Sequence, residues 1–330
     1  MPLDPFARIP IRSTGVEVTR LGLGTAPLGG LYAPLSHADG VALVQSAWDA
    51  GVRYFDTAPL YGFGLAEERL AEVLADKPRD SFTISTKVGR LIRPASGAAL
   101  EGSRFFGTRD ERPVWDFSRD GVLRSLEESL RRLRLDRVEI VLVHDPDDHW
   151  QQAIEETIPA LVELRDQGVI RAIGAGMNQS EMLTRFVREA DIDILLCAGR
   201  YTLLDQDADR ELLPACMERG TRVIIGGLMN SGILADPKPG ATFNYETADP
   251  GWIAKAQRLG EVCARHGVPL KEAAIQMPLA HPAVATVAAG VRTPAELAEY
   301  PVAMRRTIPA ALWAELKAEG LLAAHLPVPA

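Results

Sequence analysis

The chain has 330 residues, 47% hydrophobic and 24% charged, enough apolar content to bury a large core, which excludes a disordered chain. Its net charge of −8, with no long Lys/Arg run, argues against nucleic acid as the main partner. The opening MPLDPFARIPIRSTG has no apolar signal core and no segment approaches a membrane span; with three scattered cysteines, Cys197, Cys216 and Cys263, lacking CxxC spacing, the expectation is a soluble, cytoplasmic protein with reduced thiols and no membrane partner.

Along the chain, IPIRSTGVEVTRL places a glycine between two alternating runs and predicts a hairpin. LGLGT (21–25) follows as a short apolar strand. Ser36 to Ala50 predicts a helix capped by Ser36, with Asp39 three residues on and Val41, Val44, Ala47 and Trp48 on its apolar face; Gly51 stops it. The strand VRYFD comes next, and the same unit then recurs. Helix 66–75 leads into FTISTK (82–87), helix 120–133 into VEIVLVH (138–144), and helix 151–166 into IRAIG (170–174). Helix 180–189 precedes IDILLCAG, helix 207–218 precedes RVIIGG, and helix 252–265 with a second helical run precedes AVATVAAG.

Eight apolar strands without polar alternation imply a parallel sheet covered on both faces. Eight units with no shift in composition favour a closed (β/α)8 TIM barrel, as one domain over 1–330, with the hairpin plugging one end. Two connections, 89–119 and 228–251, are too long for plain turns and predict lid loops.

In such a barrel, chemistry sits where strands end. The strand ends offer Asp56, Lys87 and His144, with Tyr61 on the loop after Asp56. Alone, each has an ordinary explanation: a cap or ion-pair partner, a surface lysine, a core histidine, a loop aromatic. Together they make a working group, because an ammonium favours a phenolate, a carboxylate holds that ammonium, and an imidazole relays a proton. Two other motifs carry less. GLGTAP (22–27) starts like a Rossmann fingerprint but has Pro27 in place of the third glycine, and the next helix begins only near Ser36. HDPDDH (144–149) could hold a metal, but an Asp-rich loop after a strand is ordinarily a turn with a helix cap, and the expectation is no metal.

FDTAPLYG (55–62), STKVG and VLVHDP resemble the signature segments of the aldo-keto reductase superfamily. The resemblance runs from GLGTAPLG (22–29) through GAGMN (174–178) and GRYTLLD (199–205) to GVRTPAEL (290–297). It implies Tyr61 as acid–base, Lys87 and Asp56 as its tuning partners, and His144 orienting the substrate oxygen. It also implies a nicotinamide dinucleotide, NAD or NADP, bound without a Rossmann domain. Gly24 and Thr25 would border its nicotinamide end, Asn178 would pair with the carboxamide, and Tyr201 would stack on the ring. Met177 and Arg200 depart from the family's common pattern there. GGLMNSGIL (226–234) offers Gly227, Leu228, Asn230 and Gly232 as a pyrophosphate turn. At the adenosine end, the resemblance places Gly290 and Glu296 where relatives carry basic residues that hold a 2′-phosphate; Arg292 favours a phosphate unless it pairs with Glu296 four residues on, and NAD is expected over NADP.

GRYTLLD, FSRDGVLRSLEESLRRL (117–133) and GLMNSGIL resemble the bacterial branch that contains D-threo-aldose 1-dehydrogenases, L-fucose and L-galactose dehydrogenases and pyridoxal 4-dehydrogenase. The implied activity is oxidation of an anomeric carbon to a lactone, with Phe105, Trp115 and Phe243 of the long loops facing the sugar. The alternatives are a pyridoxal 4-dehydrogenase, a reductase of small aldehydes, and a non-catalytic cofactor-binding regulatory subunit. The expected partner is a small sugar or aldehyde, and the expected assembly a monomer or weak homo-oligomer.

Overall fold

A computed structural model describes residues 2–97 and 102–329. Residues 98–101 of the expected 89–119 lid lie outside the described residues, as do the first and last residues of the expected 1–330 domain.

The chain opens with an antiparallel hairpin, β1 (Arg8–Ile11) against β2 (Val16–Thr19), with Arg8 opposite Thr19 and Ile11 opposite Val16. Strands β3 (Leu21–Gly24), β4 (Tyr54–Asp56) and β5 (Thr83–Val88) follow. A second hairpin pairs β6 (Arg90–Pro94) with β7 (Glu111–Trp115). Then come β8 (Ile140–His144), β9 (Ala172–Met177), β10 (Ile194–Ala198) and β11 (Arg222–Gly226). A two-residue ribbon, β12 (Thr242–Phe243) with β13 (Glu246–Thr247), precedes β14 (Val284–Gly290). Parallel pairing in the order β3-β4-β5-β8-β9-β10-β11-β14 closes back on β3. The fold is the (β/α)8 barrel.

Two apolar layers hold it together. Outside the strands, buried leucines, valines and isoleucines pack the sheet against the surrounding helices. Inside, Tyr54, Ile140, Leu142, Ile194, Leu196 and Ile224 fill the barrel, and Ile11, Val16 and Val18 of the first hairpin pack into the same cluster. The hairpin therefore plugs one end, as its alternation predicts, and leaves the other for chemistry.

The first helix, His37–Ala50, is capped as expected: Ser36 accepts from the Asp39 amide, and Gly51 ends the helix at φ 107°. Its buried face is Gly40, Leu43, Val44 and Ala47, one step round from the expected face, leaving Val41 and Trp48 half-buried. The expected helix 151–166 is interrupted by a π-turn at Ala153–Thr157, where Pro159 has no N–H to return four residues back. The expected helix 207–218 divides into a 3-10 turn, Asp207–Asp209, and a helix over Leu212–Arg219. Each of the two long connections expected as lids carries a β-hairpin, with five residue pairs in the first and two in the second.

Candidate active site

Register brings the four titratable residues together. Asp56 lies beside Gly24 on one side and Ser85 on the other. Side chains two apart on a strand share a face, so Ser85 and Lys87 both reach Asp56. Ser85 Oγ donates to Asp56 Oδ1 at 2.7 Å, and Lys87 Nζ donates to Oδ1 at 2.9 Å and Oδ2 at 2.8 Å. Lys87 also donates to the Thr57 carbonyl at 2.9 Å and to the Tyr61 hydroxyl at 3.0 Å. Asp56 and Lys87 are 2% and 1% exposed, so water contributes little to holding either charge.

Tyr61 reaches Lys87 because its loop is pressed against the turn after β3. A Cβ on Gly29 would lie 2.4 Å from the Gly62 nitrogen and from the Tyr61 carbonyl carbon, so only glycine permits this approach. His144 ends β8 on the same face as the interior Leu142, and its ring meets Tyr61 edge-on at 5.8 Å. His149 turns elsewhere, against Phe117 at 5.2 Å. Asp147–His149 form the expected turn before a helix.

Burial governs the electrostatics. It pushes the Tyr61 phenol well above its ordinary range; the Asp56 and Asp145 carboxylates push the same way, and Arg90 opposes them. Burial also holds His144 well below the usual imidazole range, helped by the cations of Arg90 and Lys87. At neutral pH the site therefore rests with a protonated phenol and a neutral imidazole. Sequence reasoning weighed the ammonium beside the phenol but not this desolvation. Arg90 forms an ion pair with Asp145, Nη2 to Oδ2 at 2.8 Å, next to His144.

One cavity of about 620 Å³ runs from these residues to the far side of the barrel mouth. Its walls include Asp56, Tyr61, Lys87 and His144 at one end, and Gly290, Arg292, Glu296 and Tyr300 at the other. Gly24, Thr25, Asn178, Arg200, Gly227, Leu228, Asn230 and Gly232 lie between. Gly227 stands at φ 60°, and a Cβ on it would come within 3.0 Å of the Gly199 nitrogen. The following amides, Leu228 and Met229, donate to no partner among the described residues. The Asn230 side chain is committed, donating to the Gly199 carbonyl at 2.9 Å and accepting from Thr202 Oγ at 2.6 Å. It braces the turn.

Other expected site residues sit differently. Tyr201 is fully buried with its ring edge-on to His281 at 5.6 Å, and it does not line the cavity. It packs in the apolar core outside the strands. Trp115 is 49% exposed and lies over the Arg90 guanidinium at 5.5 Å, outside the cavity. Phe243 stacks on Trp252 at 4.4 Å, also outside it. Phe105 is the one loop aromatic of the three on the cavity wall, 6.2 Å from the Tyr61 ring. Arg200 ties strand ends to the ribbon, donating to the Asn178 carbonyl, Asp205 and Asn244. The Arg292 guanidinium does not pair with Glu296; it donates to the carbonyls of Leu31 at 3.0 Å and Pro34 at 2.9 Å. Glu296 accepts from the Arg292 backbone amide at 2.7 Å while its own amide donates to Thr293, so the acid caps its helix and still lines the cavity.

Several wall residues escaped sequence reasoning: Tyr32, Arg90, Arg104, Asp145, Asn244 and Tyr245. Arg90 and Asp145 directly follow STKVG and VLVH, which was signal enough to include them. Tyr245 gave none, since it reaches Asn178 Oδ1 at 3.3 Å only through a turn that holds Asn244 and Tyr245 at φ 51° and 68°.

Residues 20–319 match the Aldo/keto reductase family. The chain is 43% identical over 312 residues to a D-threo-aldose 1-dehydrogenase from a Pseudomonas species, covering 92% of this chain and 94% of that one. It is 42% identical over 329 residues to pyridoxal 4-dehydrogenase from Microbacterium luteolum, covering 94% and 96%. Among solved structures, an aldo-keto reductase from Bacillus halodurans in its holo form superposes with a TM-score of 0.77 at 26% identity, covering 97% of this chain and 98% of that one. The catalytic-type cluster sits in a barrel that is also the family's fold, and the chain belongs to the aldo/keto reductase family.

Proposed function

We propose that this oxidoreductase oxidises the anomeric carbon of an aldose, such as L-fucose, L-galactose or D-arabinose, to the lactone, with NAD preferred over NADP. The observation that carries the reading is the hydrogen-bonded chain Asp56–Lys87–Tyr61, which ends in a phenol hydroxyl on the cavity wall beside a neutral His144. Such a hydroxyl can give a proton to, or take one from, an oxygen on a carbon changing oxidation level. A nicotinamide cofactor, when bound, supplies the hydride acceptor. The protein's part is the proton. Tyr61 rests protonated, so oxidation requires the phenol to lose its proton first; Lys87, donating to that oxygen, favours the phenolate. Oxidation should therefore rise with pH, while reduction is ready at neutrality.

The residues present fit a dinucleotide. Asn178 would meet the carboxamide, and the unpartnered Leu228 and Met229 amides beside Gly227 would meet the pyrophosphate. Glu296 would accept from a ribose hydroxyl and repel a 2′-phosphate, while the Arg292 guanidinium nearby is held by the carbonyls of Leu31 and Pro34. The similarity to the Pseudomonas aldose 1-dehydrogenase supports the sugar. Pyridoxal is the second reading, supported by the Microbacterium relative at 42% identity.

A substrate panel decides between them: L-fucose, L-galactose, D-arabinose, pyridoxal and simple aldehydes, with both cofactors and in both directions. An aldose should give the highest kcat/KM. A clear preference for pyridoxal, or reduction of simple aldehydes alone, would replace the reading.

A further inference from the structure

Beside the proton-transfer residues lies a charged pair that biases their ionisation but has no part in the proton transfer itself. Asp145 directly follows His144, held at φ 42° by its amide bond to the Gly176 carbonyl at 3.1 Å. Aspartate is among the few non-glycine residues that adopt the left-handed region, and this turn sets where its carboxylate lies. Arg90, at the start of β6, donates one N–H to Asp145 Oδ2 at 2.8 Å, and its guanidinium lies against the Trp115 ring. The two side chains are only 11% and 18% exposed, and both line the cavity. Asp145 Oδ2 is 3.5 Å from His144 Nε2. Asp145 Oδ1 and Arg90 Nη1 make no hydrogen bond among the described residues, and Arg90 Nε is buried without a partner. The pair therefore presents one free carboxylate acceptor and one free guanidinium donor next to the reacting position.

A hydroxyl is at once donor and acceptor, so two neighbouring hydroxyls can give a proton to the carboxylate and accept one from the guanidinium together. We propose that Arg90 and Asp145 form a diol-reading subsite, which selects substrates carrying adjacent hydroxyls next to the carbon that reacts. The inference deepens the aldose reading and rests on it for the identity of the natural substrate. A substrate without those hydroxyls leaves a partly desolvated acceptor and donor unmatched, and sites built to bind a hydroxyl discriminate strongly against analogues lacking it. Trp115 then acts behind the subsite, flattening Arg90 against Asp145, and does not touch the sugar.

The test compares reduction of glyceraldehyde, which carries adjacent hydroxyls, with reduction of propanal, which carries none, in the wild type, Arg90→Gln and Asp145→Asn. Asparagine tolerates the left-handed backbone, so Asp145→Asn keeps the test alive if Arg90→Gln folds poorly. The glyceraldehyde-to-propanal ratio of kcat/KM should fall about 10- to 100-fold in each folded variant, the span of one lost charge-assisted hydrogen bond. An unchanged ratio in a folded variant overturns the subsite. Aldose oxidation by the wild type is scored separately. An enzyme that oxidises no aldose but shows the ratio change loses the sugar reading and keeps the subsite; one that oxidises aldoses with no ratio change loses the subsite alone.

Discussion

Lys87→Met removes one ammonium from a position where its three N–H groups face three partners, the Asp56 carboxylate, the Thr57 carbonyl and the Tyr61 hydroxyl. Methionine fills much the same volume, so the change is mainly electrical. Asp56, 2% exposed, keeps only the Ser85 hydroxyl as a side-chain donor among the described residues. Breaking one side of a buried ion pair costs about 3–5 kcal/mol of stability. Tyr61 loses the donor that favours its phenolate, and a misplaced or wrongly ionised acid–base group costs about 10²–10⁴-fold in rate. The two effects separate in the double variant Lys87→Met/Asp56→Asn, which has no stranded carboxylate. Urea unfolding should place its stability well above that of the single variant, while kcat/KM stays at the single variant's low level. Any residual activity of Lys87→Met should show its pH optimum displaced upward. Cofactor affinity, followed by fluorescence quenching, checks that the cavity is intact. Recovery of activity in the double variant, or a single variant within tenfold of wild type, would refute the reasoning.

His144 and Glu296 give two further expectations. The folded protein holds His144 neutral below the ordinary imidazole pKa of about 6.5. As pH falls through about 6.5 the unfolded chain gains a proton the folded chain refuses, so stability drops by up to about 1.4 kcal/mol per pH unit, until the folded-state pKa is reached. His144→Gln lacks this slope, so the wild type's stability relative to the variant should decline between pH 7 and 5 in denaturant titrations; parallel curves would show the imidazole is not the group responsible. Glu296→Gln keeps the helix cap geometry but removes the charge, so the NAD-to-NADP ratio of kcat/KM should fall; a wild type that already prefers NADP, or an unmoved ratio, excludes Glu296 as the discriminator.

Much of the fold was legible because buried parallel strands are written as continuous apolar runs, such as VEIVLVH, and because Gly51 and Ser36 mark a helix end and start unambiguously. The four titratable residues were legible for the same reason, since strand ends of a closed barrel converge on one mouth. The loop aromatics, Phe105 apart, were not. Trp115, Phe243 and Tyr201 each had the right chemistry for a ring-stacking role, but where a ring points depends on packing between elements distant in sequence. Trp252 claims Phe243, Arg90 takes Trp115, and the core takes Tyr201. Tyr245, which does reach the cavity, is carried there by a two-residue turn with both residues left-handed, a conformation ordinarily signalled by glycine and absent from the FNYE stretch. The depressed imidazole and elevated phenol were likewise out of reach, because they follow from burial that composition does not reveal.

In the proposed reaction Tyr61 moves the proton while an aldose becomes its lactone. The most direct measurement follows product formation by NMR, with wild type and Tyr61→Phe incubated with each aldose and NAD at mildly alkaline pH. The account predicts lactone in the wild type, one equivalent for each reduced cofactor. In Tyr61→Phe it predicts loss of about 10²–10⁴-fold in rate with cofactor binding preserved. Lactone formed by Tyr61→Phe at near wild-type rate, or no lactone from any aldose in the wild type, would contradict it.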